Sequence, residues 1–286
     1  MGRLLPEEYV EQAYLFRALN QRIETAEPVQ DILKHVRDEI LATTKLPMAI
    51  DYMLAELNHV GIMSTAMRRL PHYFAPFQAF LIEAAESEHG RFDIRQALTI
   101  LEAEARIRQA FSSPSTLFFM QFETVCRNHL SYDQGLAAMS GDPFFEPDWQ
   151  KWILQIRHRI GIVELADLVY VHSEYYLQRE SAHRLEWQTD SEPMPEPVLF
   201  NEKEGRIALA NRRKEPLYFF AALQRQLNYP AIPKPKRTES VDAVLRKTHR
   251  QIEKLETRVK LLEDEQRQRG IDLSQFMSPP APGNID

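Results

Sequence analysis

Residues 117–126 read Leu-Phe-Phe-Met-Gln-Phe-Glu-Thr-Val-Cys, and the largely apolar run continues to Leu130. On a helix, these apolar side chains cover most of the circumference instead of a single stripe. A helix that is apolar all round is buried by its neighbours. We therefore expect residues 117–130 to form the central helix of a helical bundle.

The segments around this run carry apolar residues at helical spacing, and many begin at a proline. The missing N–H of proline costs nothing at the start of a helix, and its fixed φ favours the first turn. The prolines that directly precede amphipathic runs are Pro6, Pro28, Pro47, Pro76, Pro147 and Pro216. This placement predicts successive helices from Pro6 to Trp187, among them one long helix over 47–70 and another over 162–185.

Two proline-rich stretches divide the rest of the chain, at 190–197 and 230–235. Such stretches are extended and stiff, and are typical of linkers. The predicted organisation is a helical bundle domain over 1–187, a linker and docking segment over 188–230, a Pro/Lys linker over 231–238, a coiled coil over 239–269 and a disordered tail over 270–286.

The docking segment is expected to be of mixed structure. Val198–Phe200 and Arg206–Leu209 are short apolar runs that predict a β-hairpin across 201–205. Pro216–Leu227 has apolar residues on one side and predicts a helix. The expected fold class is therefore all-α: a multi-helix bundle with a small mixed docking segment and a C-terminal coiled-coil helix.

A seven-residue repeat lies near the end of the chain. Its core positions are Val241, Leu245, Thr248, Ile252, Leu255, Val259, Leu262 and Gln266. Ile or Val at one core position with Leu at the other favours two parallel strands, and Arg258 of one helix is placed to reach Glu263 of its mate. The repeat predicts a homodimer, with a single amphipathic helix packed on its own domain as the alternative.

Charge and cysteine content restrict the partners and the compartment. The chain has 286 residues and a formal net charge of −6, which argues against a general nucleic-acid binder. Basic residues outnumber acids from 206 to 250, so a nucleic-acid adaptor is kept as a weaker alternative. The lone Cys126 forms no internal disulfide, and neither a membrane-spanning run nor a signal peptide is recognisable. These features predict a cytoplasmic protein.

Three Glu-x-x-His pairs raise the question of a metal site: Glu56 with His59, Glu86 with His89, and Glu180 with His183. On a helix this spacing points a carboxylate and an imidazole the same way, and it is similar to the pattern of ferritin-like di-iron bundles. Glu56 falls within the apolar stripe of its helix, with His59 at the margin. The other two pairs point away from their apolar stripes.

Further glutamates on or beside apolar faces extend this idea. Glu88, Glu123 and Glu164 join Glu56 and His59 as candidate ligands of Fe or Mn in a carboxylate-rich cavity. A second inward Glu-x-x-His pair is missing from the pattern. Because a buried carboxylate must be paired, protonated or metal-bound, an Arg-paired structural core is the alternative interpretation.

No motif in the sequence identifies a reaction. The spacing of the glycines excludes a dinucleotide fingerprint and a P-loop, and a nucleophile elbow is absent. We therefore predict a non-enzymatic interaction or scaffold protein without catalytic residues or cofactor, which binds itself through the coiled coil and also binds another protein. The alternative from a different class is a di-iron or di-manganese carboxylate oxidoreductase built on the same bundle.

Overall fold

The computed structural model describes residues 3–25, 27–87, 92–159, 164–187, 197–234 and 249. This part of the chain contains thirteen α-helices and no β-strand, which confirms the all-α fold class. Residues 1–235 form one compact unit, and residues 236–286 form a second. The helices are α1 (Pro6–Ile23), α2 (Val29–Glu39), α3 (Leu46–Val60), α4 (Met63–Arg68), α5 (Pro76–Glu86), α6 (Ile94–Gln109), α7 (Pro114–Arg127), α8 (Tyr132–Ser140), α9 (Pro147–Arg159), α10 (Leu165–Val171), α11 (Glu174–Trp187), α12 (Glu202–Ala210) and α13 (Pro216–Leu227).

Helix α7 is the centre of the first unit, as its apolar circumference predicts. Its residues from Ser115 to Val125 are all buried, and it packs against α6, α8 and α13. Phe118 lies in a cluster of aromatic rings with Trp149, Trp152 and Phe200, at centroid distances of 5.8, 5.1 and 6.3 Å. The outer helices pack around this core, with α1 lying along α6.

The prolines begin helices as predicted. Four of the six are the first residue of a helix, Pro47 is the second residue of α3, and Pro28 is the N-cap of α2. Pro114 also begins a helix, α7, where the Ser113 side chain caps the free N–H of Thr116. The predicted helix over Pro216–Leu227 is confirmed as α13.

Two predicted long helices are each divided in the structure. The run over 47–70 forms α3 and α4, because Gly61 ends α3 in the left-handed conformation, with φ 73°, that glycine adopts without steric cost. The run over 162–185 includes α10 and α11, which are separated at His172 and Ser173. The short helix α8 was not predicted.

The predicted β-hairpin over 198–209 is wrong, because residues Glu202–Ala210 form α12. A capping box begins this helix: Asn201 Oδ1 accepts the N–H of Glu204 at 3.0 Å, and Glu204 Oε2 accepts the N–H of Asn201 at 2.9 Å. Phe200 instead makes an isolated parallel bridge with Ser173. Helix α12 packs against α10 and α11, and α13 packs against α7.

Several predictions concern residues outside the described part of the chain. The coiled-coil positions Val241, Leu245, Thr248, Ile252, Leu255, Val259, Leu262 and Gln266 lie there, as do Glu88, residues 188–196 of the predicted linker and docking segment, and the tail over 270–286. Within the part that the structure does describe, no helix has the length and apolarity needed to cross a membrane.

Candidate functional site

Glu56 and His59 lie on α3, where they do not form a shared metal-binding pair. Glu56 is half-buried and binds Arg69, which follows α4, at 2.6 Å. His59, one turn further along, is exposed to solvent. The carboxylate on the apolar stripe of α3 is therefore held by an arginine, which is the alternative interpretation of the sequence pattern.

Glu123 is the most deeply buried of the predicted metal ligands, with 1% of its side chain exposed. The guanidinium of Arg127, one turn along α7, donates from Nε to Glu123 Oε1 at 2.9 Å. The hydroxyl of Tyr229 donates to Glu123 Oε2 at 2.7 Å, and burial together with Glu123 raises the pKa of that hydroxyl. Glu123 thus joins the central helix to the segment that follows α13.

Glu164 is an exposed residue at the N-cap of α10, where it accepts the backbone N–H of Arg213 at 2.8 Å. Glu88 lies outside the described residues. Across the described ranges, no group of three or more His, Cys, Asp or Glu residues is arranged to hold a metal ion. The candidate ligands that the structure places each bind a protein group or face solvent.

A second buried charge cluster, which the sequence analysis missed, joins α6 to the turn between α8 and α9. Arg108 donates to Glu104 at 2.8 Å and to Asp142 Oδ1 at 3.1 Å, and all three side chains are at most 2% exposed. Gln121 of α7 donates to Glu104 at 2.7 Å. In the sequence, Glu104 and Arg108 fall on the same apolar stripe as Ala97, Leu101 and Ala105. Their burial could have been predicted from this placement.

The electrostatics of this cluster suit a structural role. Burial by itself would lower the pKa of Arg108, but Asp142 and Glu104 outweigh it and raise that pKa. Asp142 Oδ1 also accepts the N–H of Phe144 at 2.9 Å, and the Arg108 guanidinium lies 5.6 Å from the centre of the Phe144 ring. The charges of the cluster therefore fix the turn that leads into α9.

A small cleft adjoins Arg108. It is lined by Leu4, Tyr9, Pro71, His72, Tyr73, Ala75, Gln78, Arg108 and Pro143. The Arg108 guanidinium in this lining is already shared by two buried carboxylates, so it offers no net positive charge to an anionic substrate. Burial raises the pKa of Tyr73, with a smaller contribution from Glu8, so its hydroxyl stays protonated at neutral pH.

Cys126 behaves as a core residue. Burial raises the pKa of its thiol to about 12, against a smaller lowering by the hydroxyl of Tyr132. The reactive form of cysteine is the thiolate, which is scarce at neutral pH for a thiol with such a pKa. Cys126 is therefore no candidate nucleophile.

The basic segment over 206–250 is described only as far as 234, apart from His249. Arg206 pairs with Glu202 at 2.5 Å along α12, and Arg212 pairs with Asp167 of α10. Two of the arginines that suggested phosphate binding are thus already bound to carboxylates, which reduces the positive charge that this surface presents.

In comparisons with protein-family models, curated proteins and solved structures, the chain matches none.

Proposed function

We propose that the protein is a non-enzymatic helical interaction or scaffold protein that forms a homodimer through the heptad segment over 241–266. The observation that supports a non-enzymatic role is that the buried carboxylates are bound by other groups of the protein. Glu104, Glu123 and Glu204 are each bound by side chains from other parts of the fold. Carboxylates used in this way hold helices together, which favours a structural role over acid–base chemistry or metal binding.

The heptad pattern supports self-association. Ile252 and Val259 at one core position, with Leu255 and Leu262 at the other, are the combination that favours a parallel pair of helices. A homodimer presents two copies of the helical unit, which suits a protein that brings other proteins together. The proposed setting is the cytoplasm, consistent with a chain that has a single cysteine.

The di-metal oxidoreductase is not favoured by any observation on the described residues. Glu56 binds Arg69, Glu123 binds Arg127 and Tyr229, and Glu164 accepts a backbone N–H. The nucleic-acid adaptor is likewise left without a supporting observation.

Substitution of two core positions tests the dimer. In the full chain, the double substitution Ile252→Asp and Leu255→Asp places charges in the seam, and we expect it to convert a dimer into a monomer of 33.4 kDa. The matched control is Thr257→Asp, on the outer face of the repeat, which is expected to remain dimeric. Light scattering coupled to gel filtration measures the mass. A wild-type monomer, or a core variant that is still dimeric, would contradict the proposal.

A further inference from the structure

The segment Pro197–Phe200 is held against the link between α10 and α11. The carbonyl of His172 accepts the N–H groups of Leu199 at 2.9 Å and Phe200 at 3.2 Å, and Glu174 donates its N–H to the carbonyl of Phe200 at 2.9 Å. These bonds fix the segment that leads into α12. We call Pro197–Phe200 the latch.

Two side chains complete the closed latch. The Phe200 ring is 1% exposed and lies 5.0 Å from Trp152 and 5.1 Å from Trp149, centroid to centroid. The imidazole of His172 is 6% exposed, and its Nδ1 lies 2.9 Å from the carbonyl oxygen of Pro197. Because a carbonyl only accepts, Nδ1 carries the proton, and the neutral ring has its unprotonated nitrogen at Nε2.

The surroundings of the His172 ring are poor for a second proton. The Trp152 ring of α9 lies 5.9 Å from it in an edge-on arrangement. Arg159, at the end of α9, is the charged group that acts on the ring. Glu174 at the start of α11 and Glu204 of α12 adjoin the latch through their hydrogen bonds to Phe200 and Asn201. Burial lowers the pKa of His172, Arg159 lowers it further, and the hydrogen bond to Pro197 opposes both.

The carboxylates around the latch are occupied elsewhere. Glu174 accepts the N–H of Glu202 at 3.3 Å, and Glu204 accepts the Ser115 hydroxyl at 2.6 Å and the N–H of Asn201 at 2.9 Å. Neither is bound to the imidazole, so a protonated His172 would lack a carboxylate partner while the latch is closed.

We propose that Pro197–Phe200 is a pH-sensitive latch, which closes on neutral His172 and opens when the ring takes up a second proton and becomes hydrated. The direction follows from linkage. The ordinary pKa of 6.5 is lowered in the closed state, so the stability that His172 contributes is present above about pH 6.5 and is lost as pH falls through the lowered pKa. Between the two pKa values, each unit by which the pH falls raises the open fraction by up to about tenfold.

Amide hydrogen exchange of the full-length protein tests the latch. After correction for the intrinsic rate, the N–H groups of Leu199 and Phe200 are expected to open several-fold more often at about pH 5 than at about pH 7, while those of α7 do not. His172→Asn keeps a donor for the Pro197 carbonyl and removes the titration, so it should abolish the acceleration. His59→Asn, on the exposed end of α3, is the matched control and should keep it.

Glu204 is a second titratable group close to the latch, so a variant of Glu204 is part of the test. Burial raises the pKa of Glu204, so acidification stabilises the folded arrangement around Glu204, whereas it destabilises the one around His172. In Glu204→Gln, the acceleration at Leu199 and Phe200 is expected to persist. The proposal is overturned if the acceleration is absent in wild type, persists in His172→Asn, or disappears in Glu204→Gln. Should His172→Asn fail to fold, NMR titration of the wild-type ring decides: a His172 pKa of 6.5 or higher would rule the latch out.

Discussion

Two buried carboxylate sites in the same helical unit are stabilised in different ways. Glu104 and Asp142 share the guanidinium of Arg108, so two negative charges are held by one positive charge. Glu204 is equally buried, but its partners are the Ser115 hydroxyl and the backbone N–H of Asn201. The first site is an ion triad, whereas the second is a hydrogen-bonded carboxylate with no cation among these partners.

This difference shows what burial alone says about a carboxylate. The desolvation cost must be offset in each case, but by a guanidinium in the triad and by neutral donors at Glu204. Neutral donors offset it only in part, because burial still raises the pKa of Glu204 in spite of both hydrogen bonds. Neither solution requires a metal ion, so a glutamate on an apolar helix face is weak evidence for a metal centre.

Removing the cation of the triad should have the largest effect. Arg108→Met leaves Glu104 and Asp142 buried without a positive charge, and loss of one partner from such a network costs about 3–5 kcal/mol of the free energy of unfolding. Urea denaturation measures this loss. The matched control is Arg106→Met, which breaks the more exposed pair with Glu102 and should cost less than about 1 kcal/mol.

A triple variant separates charge from packing in the same site. Glu104→Gln and Asp142→Asn, added to Arg108→Met, remove the unpaired charges and should recover part of the lost stability. If Arg108→Met is no more destabilising than Arg106→Met, the triad does not hold the turn before α9, and the contrast between the two buried sites disappears.

A substitution at the neighbouring Gly205 should disturb the Glu204 site. A Cβ on this residue would lie 2.2 Å from Ser173 Oγ and 2.8 Å from Tyr175 Cβ, so Gly205→Ala must push α12 away from α11. We expect a loss of about 1–3 kcal/mol in urea denaturation, although alanine is intrinsically the better helix former by about 1 kcal/mol.

A double-mutant cycle identifies the cause of that loss. Ser173→Gly removes the two closest atoms, Oγ and Cβ, so the cost of Gly205→Ala should be smaller in its presence. An unchanged or favourable effect of Gly205→Ala in wild type would mean that the close approach of α12 to Ser173 does not determine the position of Glu204.

The sequence predicts those features of the fold that depend on neighbouring residues. The burial of α7 follows from its apolar circumference, and the helix starts follow from proline, because both are properties of neighbouring residues. The capping box of α12 was also local, in Asn201 and Glu204, but two short apolar runs favoured a hairpin. Glu104 and Arg108 share a stripe on one helix and were within reach of the same reasoning.

The long-range partners of the buried charged groups could not be predicted from the sequence. Asp142 lies 34 residues from Arg108, Tyr229 lies 106 from Glu123, and Ser115 lies 89 from Glu204. Helical periodicity says which side chains are buried, but it does not say which distant donor meets a buried carboxylate. For this reason the sequence left metal-bound and protein-bound glutamates as alternatives, and the structure places a protein partner on Glu56, Glu123 and Glu164.

The smallest expected effect, and the sharpest test of the contrast, is the pH dependence of Glu204→Gln. Glutamine suits the capping box and still accepts from Ser115, so the variant should fold and lie within about 1 kcal/mol of wild type. Because the folded-state pKa of Glu204 is raised above 4.5, its contribution to stability is fully present below that pH and is lost as pH rises through the raised value.

In urea denaturation, the stability of Glu204→Gln relative to wild type should therefore increase as the pH rises above about 4.5, since only the wild type must ionise a buried group. Glu202→Gln, two residues away and more exposed, should not show this gain. Equal pH dependence in wild type and Glu204→Gln would mean that Ser115 and Asn201 offset the whole cost of the buried charge. In that case neutral donors are as effective at Glu204 as the guanidinium of Arg108 is in the triad.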